Sequence, residues 1–392
     1  MYTYKPDKCI VPIKIWSEQG SIESEALEQI ENAASLPFAF SHVALMPDGH
    51  TGYGAPIGGV LATKNVIVPN FVGLDIGCGM IALKTSLKSI ITDDIKKIMG
   101  LIRDAVPVGF NHNKEAQDVK HMPQTIPDKS LIPIVYKEYD SAKRQIGTLG
   151  GGNHFLELQK GSDGYIWIMV HSGSRNLGKK VAEYYNSLAK DMNLIWHSSV
   201  PQEYDLAFLP ISSDYGKQYF AEMRYCVEFA RCNRELIIKR IIEAFKTVLP
   251  STVFDTSINI AHNYAQLENH FGHNVVIHRK GAVHVREGTV GVIPGSQGSK
   301  SYIVKGFGNK DSFESCSHGA GRKMSRTKAR KSLNLQEEIK KMDDMGIIHG
   351  IRHESDLDEA AGAYKDIDMV MKEQSDLVET LVELSPLAVI KG

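Results

Sequence analysis

The chain has 392 residues, 42% hydrophobic and 23% charged, with 45 basic against 46 acidic side chains and a net charge of -1. That is the composition of a globular protein able to bury a sizeable core, and it excludes a global basic field, so any polyanion must be held by a local patch. No apolar run approaches membrane-spanning length, the N-terminal MYTYKPDKCIVPIKIW lacks the apolar core of a secretory signal, and the five scattered cysteines form no CxxC pair; a reducing, cytoplasmic location is the expectation.

Residues 1–16 read as a short strand region, and Ser21–Ala34 has helical periodicity. Ser41–Thr63 alternates strand-like and glycine-rich pieces. In the apolar run Val66–Leu83 the polar insert is DIGCG, so Asp75 and Cys78 must be satisfied locally or bind something. Thr92–Val106 reads as a helix, and the polar, proline-containing residues 111–145 as a long loop or lid. Gly147–Leu158, GTLGGGNHFLEL, brings the backbone close to any ligand and presents Asn153, His154 and Glu157. The β-rich run Tyr165–Val170 then delivers His171–Arg175, HSGSR. Lys179–Met192 and Asp214–Val248 read as helices. Asn259–His270 carries AHNYAQLENH, Asn274–Ile293 reads as strands around HRKGAVHVREG, and Pro294–Val304 as a second Gly/Ser loop entering a strand. Ser315–Arg330 contains SHGAGR. Asn334–Met345 and the terminal DIDMVMKEQSDLVETLV read as helical. No internal repeat or linker interrupts the chain, and metal-type residues run from Asp75 to His318, which favours one composite domain over residues 1–392.

The chemistry concentrates in a few side chains. Asp75, Cys78, His154, His171 and His262 offer a carboxylate, a thiolate and three imidazoles, a donor set for one or two divalent cations, and a thiolate has lone pairs enough to bridge two. Two cations a few ångströms apart suit phosphoryl transfer. Each histidine taken alone is more often a satisfied structural residue. In SHGAGR, His318 precedes small residues that leave room for a nucleotide, and an unprotonated imidazole is a competent nucleophile toward phosphorus. Arg322, Lys323, Arg326, Lys328, Arg330 and Lys331 form the densest basic cluster, either a solvated helix face or a seat for nucleic-acid phosphates that Arg175, Arg279 and Lys280 extend.

The stretches GLDIGCGM, GTLGGGNHFLEL, HSGSR, AHNYA, HRKGA, PGSQG, SHGAGRKMSR and the terminal AYKDI…KG occur together, in order, from Pro47 onward. In that combination the chain resembles the RtcB-type tRNA-splicing and RNA-repair ligases. The resemblance implies a single α+β domain with mixed sheets and a central metal and nucleotide cleft. It also implies a GTP- and manganese-dependent joining of RNA 3′-phosphate or 2′,3′-cyclic phosphate ends to 5′-hydroxyl ends. By the same resemblance Asp75, Cys78 and His154 hold one manganese, Cys78, His171 and His262 hold the other, and His318 becomes guanylylated. The guanylate contacts it implies are Asn153, His154, Phe155, Leu156, Glu157, His262, Asn263, Pro294, Gly295, Ser296, Gln297, Ser301, His318, Gly319, Ala320, Gly321 and Lys391. Gln297 stands where the family often has Met. Two other readings stay open: a two-metal phosphoesterase, which needs no nucleophile at His318, and a non-catalytic RNA-end-binding protein, which has no need of an intact ligand set.

Overall fold

The computed structural model describes residues 1–392. One six-stranded sheet runs, in spatial order, β1 (Tyr2–Tyr4), β2 (Ile13–Ile15), β3 (Ala39–His50), β4 (Ile57–Thr63), β12 (His273–Lys280) and β11 (Asn263–His270). Its one parallel pair is β2 with β3. A seven-stranded antiparallel sheet runs β10 (Ile258–Ala261), β6 (Gly79–Lys84), β8 (Ile166–Ser172), β7 (Phe155–Gly161), β17 (Val378–Lys391), β15 (Ser301–Gly306) and β14 (Val290–Ile293). Two short ribbons, β5 (Val66–Ile67) with β9 (Leu209–Pro210) and β13 (Ala282–His284) with β16 (Ser315–Ser317), complete the strands. The helices are α1 (Ser24–Ala34), α2 (Pro69–Val72), α3 (Thr92–Ala105), α4 (Pro133–Gln145), α5 (Arg175–Ile195), α6 (Asp214–Val248), α7 (Arg326–Ser332), α8 (Leu335–Asp344) and α9 (Ile367–Glu373). The molecule is the mixed α+β domain that the sequence led us to expect.

The long helix α6 organises one side of the seven-stranded sheet. Its Ser213 cap accepts from the Gly216 amide at 3.0 Å. Its apolar face (Ile237, Ile241, Phe245) packs with Ile81, Leu156, Ile168 and Ile390 from four strands and with Ile98 and Ile102 of α3. Three polar side chains also lie on its buried face, and each serves a neighbouring backbone. Glu222 accepts from the Ile134 and Val135 amides at 2.7 and 2.9 Å, two of the orphan donors at the start of α4. That contact explains why residues 111–145 are not the continuous loop read from composition: Pro133 opens a helix whose cap comes from a residue remote in sequence. The terminal helical reading also needs correction. The helix stops at Glu373, and DLVETLV enters β17, which is hydrogen-bonded to β15 on one side and β7 on the other.

The register of the seven-stranded sheet brings the chemistry-bearing segments to one end. Gly79 pairs with Ser172, Phe155 with His171, Ala261 with Gly79, and Lys391 with Phe155. Cys78, His154, His171, His262 and Lys391 therefore leave adjacent strand ends. From the six-stranded sheet, β3 ends beside the same point with Asp48, and from the β13–β16 ribbon, β16 leads into His318.

Candidate active site

Two donor groups share one thiol. Asp75, Cys78 and His154 form one, Cys78, His171 and His262 the other, and in each the candidate ligand atoms lie within 4.8 Å of one another. Cys78 Sγ stands 3.4 Å from His154 Nε2 and 3.2 Å from His171 Nε2, and His171 Nε2 stands 3.4 Å from His262 Nε2. His171 Nδ1 donates to the Asn153 carbonyl at 3.0 Å, so its Nε2 lone pair faces the cluster. Burial, then the neighbouring imidazoles, hold His171 and His262 well below the ordinary histidine range. Both rings are neutral near pH 7, the state a ligand requires. Burial and the Asp75 charge push the Cys78 thiol well up. Burial would raise Asp75 too, but His154 and Arg175 outweigh it and hold the carboxyl at about 2. Buried imidazole nitrogens, a thiol sulfur and a carboxylate oxygen gathered within 4.8 Å in each group are a donor set that fits divalent metal. Thiolate with imidazole is chemistry zinc also accepts.

Arg175 occupies the left-handed region at φ 57°, a strained setting for a non-glycine residue. Its Nη1 donates to His154 Nδ1 at 3.2 Å, while His154 Nε2 donates to Asp75 Oδ2 at 3.0 Å. A cation on Nε2 must displace that proton. Beneath the cluster, α6 supplies Arg234, fully buried, which donates to the Gly77 and Ser172 carbonyls, both at 2.9 Å, and so ties the Cys78 turn to the end of β8. Asn233 beside it accepts from the Gly147 amide at 2.7 Å.

His318 lies against this centre, its ring centroid 4.8 Å from that of His262. Asp48, fully buried, accepts from both the His318 amide at 3.0 Å and Nδ1 at 2.6 Å. The proton is thereby fixed on Nδ1, and Nε2 keeps its lone pair. Glycine is required on either side of this contact. A Cβ on Gly321 (φ +73°) would meet the Asp48 carbonyl at 2.3 Å, and one on Gly281 (φ +65°) would meet Ile57 at 2.3 Å and the His318 ring at 3.0 Å.

A cavity of about 290 Å³ opens between His318 and Glu157 and is lined by Asn153, Phe155, Pro294–Gln297, Gly319–Gly321 and Lys391. Glu157 is buried at its floor; burial raises its carboxyl to about 8, against the opposing influence of Lys391 and Gln159. Gln159 donates to Glu157 at 2.7 Å and to Ser301 Oγ at 3.1 Å, and Ser301 Oγ also accepts from the Gly295 amide. Gln297 donates to the Glu359 carbonyl at 2.9 Å. Leu156 and Asn263 stand behind the wall. Leu156 is a core residue, and Asn263 Nδ2 donates to the Asp75 carbonyl at 3.1 Å while its Oδ1 accepts from the Gly281 amide at 2.8 Å. A cavity of about 1420 Å³ lies elsewhere, between α6 and the 120–131 segment, and none of the chemistry-bearing residues lines it.

The basic set divides differently from its reading in sequence. Arg279 is fully buried, paired with Glu268 and donating to the Phe313 carbonyl at 2.8 Å. That pairing also occupies the carboxylate of the Glu268–His270–Glu314 grouping. Lys280 is buried and donates to the Asn70 carbonyl at 3.1 Å. Neither extends a phosphate-binding patch, because both lie in β12 under other elements. Arg322 and Arg326 converge on Glu359, at 3.2 and 2.6 Å, and Arg330 on Asp358 at 2.6 Å. Lys391 Nζ lies 3.8 Å from Glu359. Lys323, Lys328 and Lys331 are the exposed, unpaired remainder. Asp48, Gln159, Arg234 and Glu359 were not singled out in the sequence. The detectable signal was weak: a charged residue at an apolar phase of α6, and an acid inside the apolar β3.

A mixed-sheet α+β architecture with a candidate metal centre beside a histidine-bearing cavity defines the class of protein. The sequence model for the tRNA-splicing ligase RtcB matches residues 29–132 and 126–392. The chain is 37% identical to the RNA-splicing ligase RtcB of Escherichia coli K12, over 97% of both chains. It is 30% identical to the tRNA-splicing ligase RtcB of Nanoarchaeum equitans, over 99% of this chain and 97% of that one. It belongs to the RtcB family.

Proposed function

We propose that the protein is an RNA ligase that joins RNA 3′-phosphate or 2′,3′-cyclic phosphate ends to 5′-hydroxyl ends, using GTP and two manganese ions, as one domain over residues 1–392. The observation that carries the reading is the Asp48–His318 pair beside the shared-thiol cluster. His318 Nε2 attacks the α-phosphorus of GTP; the P–N bond forms as the bond to pyrophosphate breaks. The guanylate then passes to an RNA 3′-phosphate oxygen, after water has opened any cyclic phosphate, and His318 regains its lone pair. The 5′-hydroxyl attacks that activated phosphorus, loses its proton, and GMP leaves. Asp75, Cys78 and His154 are suited to hold one cation and Cys78, His171 and His262 the other; bound there, the ions supply charge stabilisation for the phosphoryl oxygens. Asp48 keeps the nucleophile in the right tautomer, Glu157 accepts from guanine N1–H and N2–H, and Lys391 neutralises phosphate charge over the cavity.

The test is incubation with α-labelled GTP and manganese, then a denaturing gel. Label should remain on the wild-type chain, be lost in acid as a phosphoramidate is, and be absent from His318→Ala. Equal labelling of the two proteins would sink the assignment. A phosphoesterase releases phosphate from the same RNA ends and never takes label.

A further inference from the structure

A second concavity, of about 820 Å³, adjoins the nucleotide cavity and shares Asn153, Gln297, Arg326 and Lys391 with it. Its other cations are Arg103, Arg175, Lys179 and Arg330. Its three side-chain carboxylates, Asp75 beside His154, Asp358 paired with Arg330, and Asp356 accepting from the Arg352 and His353 amides, are outnumbered by its six Arg and Lys side chains. In a chain of net charge -1, this is a local basic channel that leads to the reacting centre.

On its rim stands Phe110, with a relative exposure of 101%, well beyond any other exposed large apolar side chain. Single exposed apolar residues are common and mean little. Phe110 differs in how it is held. Gly109 takes φ +63°, and its amide donates to the Gly150 carbonyl at 2.9 Å. Asn113 closes the other side of the turn, its amide donating to the Arg144 carbonyl at 2.9 Å and its side chain to the Ile146 carbonyl at 2.8 Å. The ring is thus presented to solvent on a pinned backbone that touches the Gly150–Gly152 loop of the active site. An aromatic face beside a cationic channel is the arrangement that binds single-stranded nucleic acid, the cations tracking phosphates and the ring stacking on a base.

We infer that Phe110 is a base-stacking platform for a single-stranded RNA end lying in the Arg103–Arg175–Lys179–Arg330 channel. The inference rests on the RNA-ligase reading above. The shared chemistry is a polynucleotide end, and either the 3′-phosphate or the 5′-hydroxyl strand offers it.

The experiment uses the full chain and two short single-stranded RNAs, one ending in 3′-phosphate and one in 5′-hydroxyl, each carrying 5-iodouridine at successive positions from that end. Irradiation should crosslink one nucleotide position of one strand to Phe110, located by peptide mass spectrometry, and the strand that crosslinks identifies the end. Phe110→Ala should weaken binding of that RNA by roughly 5- to 150-fold, the range for one lost base–aromatic stack. Phe110→Trp should retain affinity and Phe110→Leu should not. Transfer of α-label from GTP to His318 should be unchanged in all three. Wild-type affinity in Phe110→Ala, or full rescue by Leu, overturns the platform and leaves the ring to a protein partner or to none. Loss of GTP labelling in the wild-type chain with crosslinking intact would instead overturn the ligase chemistry and leave the platform standing.

Discussion

At the scale of single residues, the site depends on which atoms carry protons. Asp48 accepts from His318 Nδ1, so the free lone pair of the ring is on Nε2. Asp48→Ala removes the acceptor that both the His318 amide and Nδ1 meet, so nothing holds the proton on Nδ1 and the other tautomer becomes accessible. We expect initial GTP-labelling rates to fall by about 100-fold or more, the scale of a lost proton-holding group, with metal content unchanged. A wild-type rate in the variant would remove Asp48 from the chemistry. Glu157 gives a pH prediction. Its carboxyl is raised to about 8 by burial, so without a bound nucleotide it is held protonated near pH 7. Guanine needs the ionised form as acceptor. Affinity for guanosine nucleotides should therefore rise as pH rises toward about 8, by at most about tenfold per unit, and level off above it. Glu157→Gln should flatten that profile and narrow the preference for GTP over ATP, since an unpaired buried acceptor costs about 1–3 kcal/mol. A profile of unchanged slope in Glu157→Gln, measured by nucleotide titration, counts against Glu157 as the guanine reader.

At the scale of elements, β17 carries the least expected placement. A penultimate lysine is ordinarily frayed, yet Lys391 pairs with Phe155 in the sheet and Ile390 packs into the core. Deleting Lys391–Gly392, or replacing Lys391 by Met, should impair GTP labelling more than RNA binding. Because the Gly392 amide donates to the His154 carbonyl at 3.2 Å, the point variant separates loss of charge from loss of the strand end. Full labelling by Lys391→Met would make the tail a scaffold only. The sequence showed Leu387–Ile390 as apolar and so inward-facing, but DLVETLV fits either period, and its strand state comes from pairing with β15, while β7 takes the later Leu384–Lys391. The bounds of α6 were legible because its apolar phase persists over 35 residues. Those of α4 were not, because Glu222 caps it from a distant part of the chain. The fold draws Asp75, Cys78, His154, His171 and His262 into two groups with Cys78 in both, and of the five only Cys78 stands directly between glycines. The basic cluster was misread because charge pattern cannot reveal Glu359. Salt-dependent RNA binding should accordingly respond to loss of Lys323, Lys328 and Lys331 more than of Arg322 or Arg326, whose removal unbalances a buried carboxylate. Salt slopes for the triple-lysine variant and for Arg326→Ala distinguish the two.

At the scale of the whole molecule, a cation held by the candidate cluster would be a cross-link. Asp75 and Cys78, His154, His171 and His262 come from four segments far apart in sequence, and they gather at one end of the seven-stranded sheet, which α6 backs. In the unfolded chain these donors are dispersed, so cation binding favours the folded state by mass action, about 2.7 kcal/mol at a free concentration 100 times Kd. Chelation should lower the thermal midpoint by several degrees, and manganese should restore it progressively with concentration. Protonation opposes binding at the thiol, which burial already raises, so the manganese-dependent part of the stability should shrink as pH falls. Cys78→Ser should lose most of the metal dependence at both groupings, whereas Asp75→Asn should lose only part, because only the sulfur belongs to both sets. Calorimetry with and without manganese, alongside metal analysis, reads this without any assay of ligation. A midpoint indifferent to manganese in the wild-type chain, or two occupied sites in Cys78→Ser, would mean that the thiol does not join the two groupings.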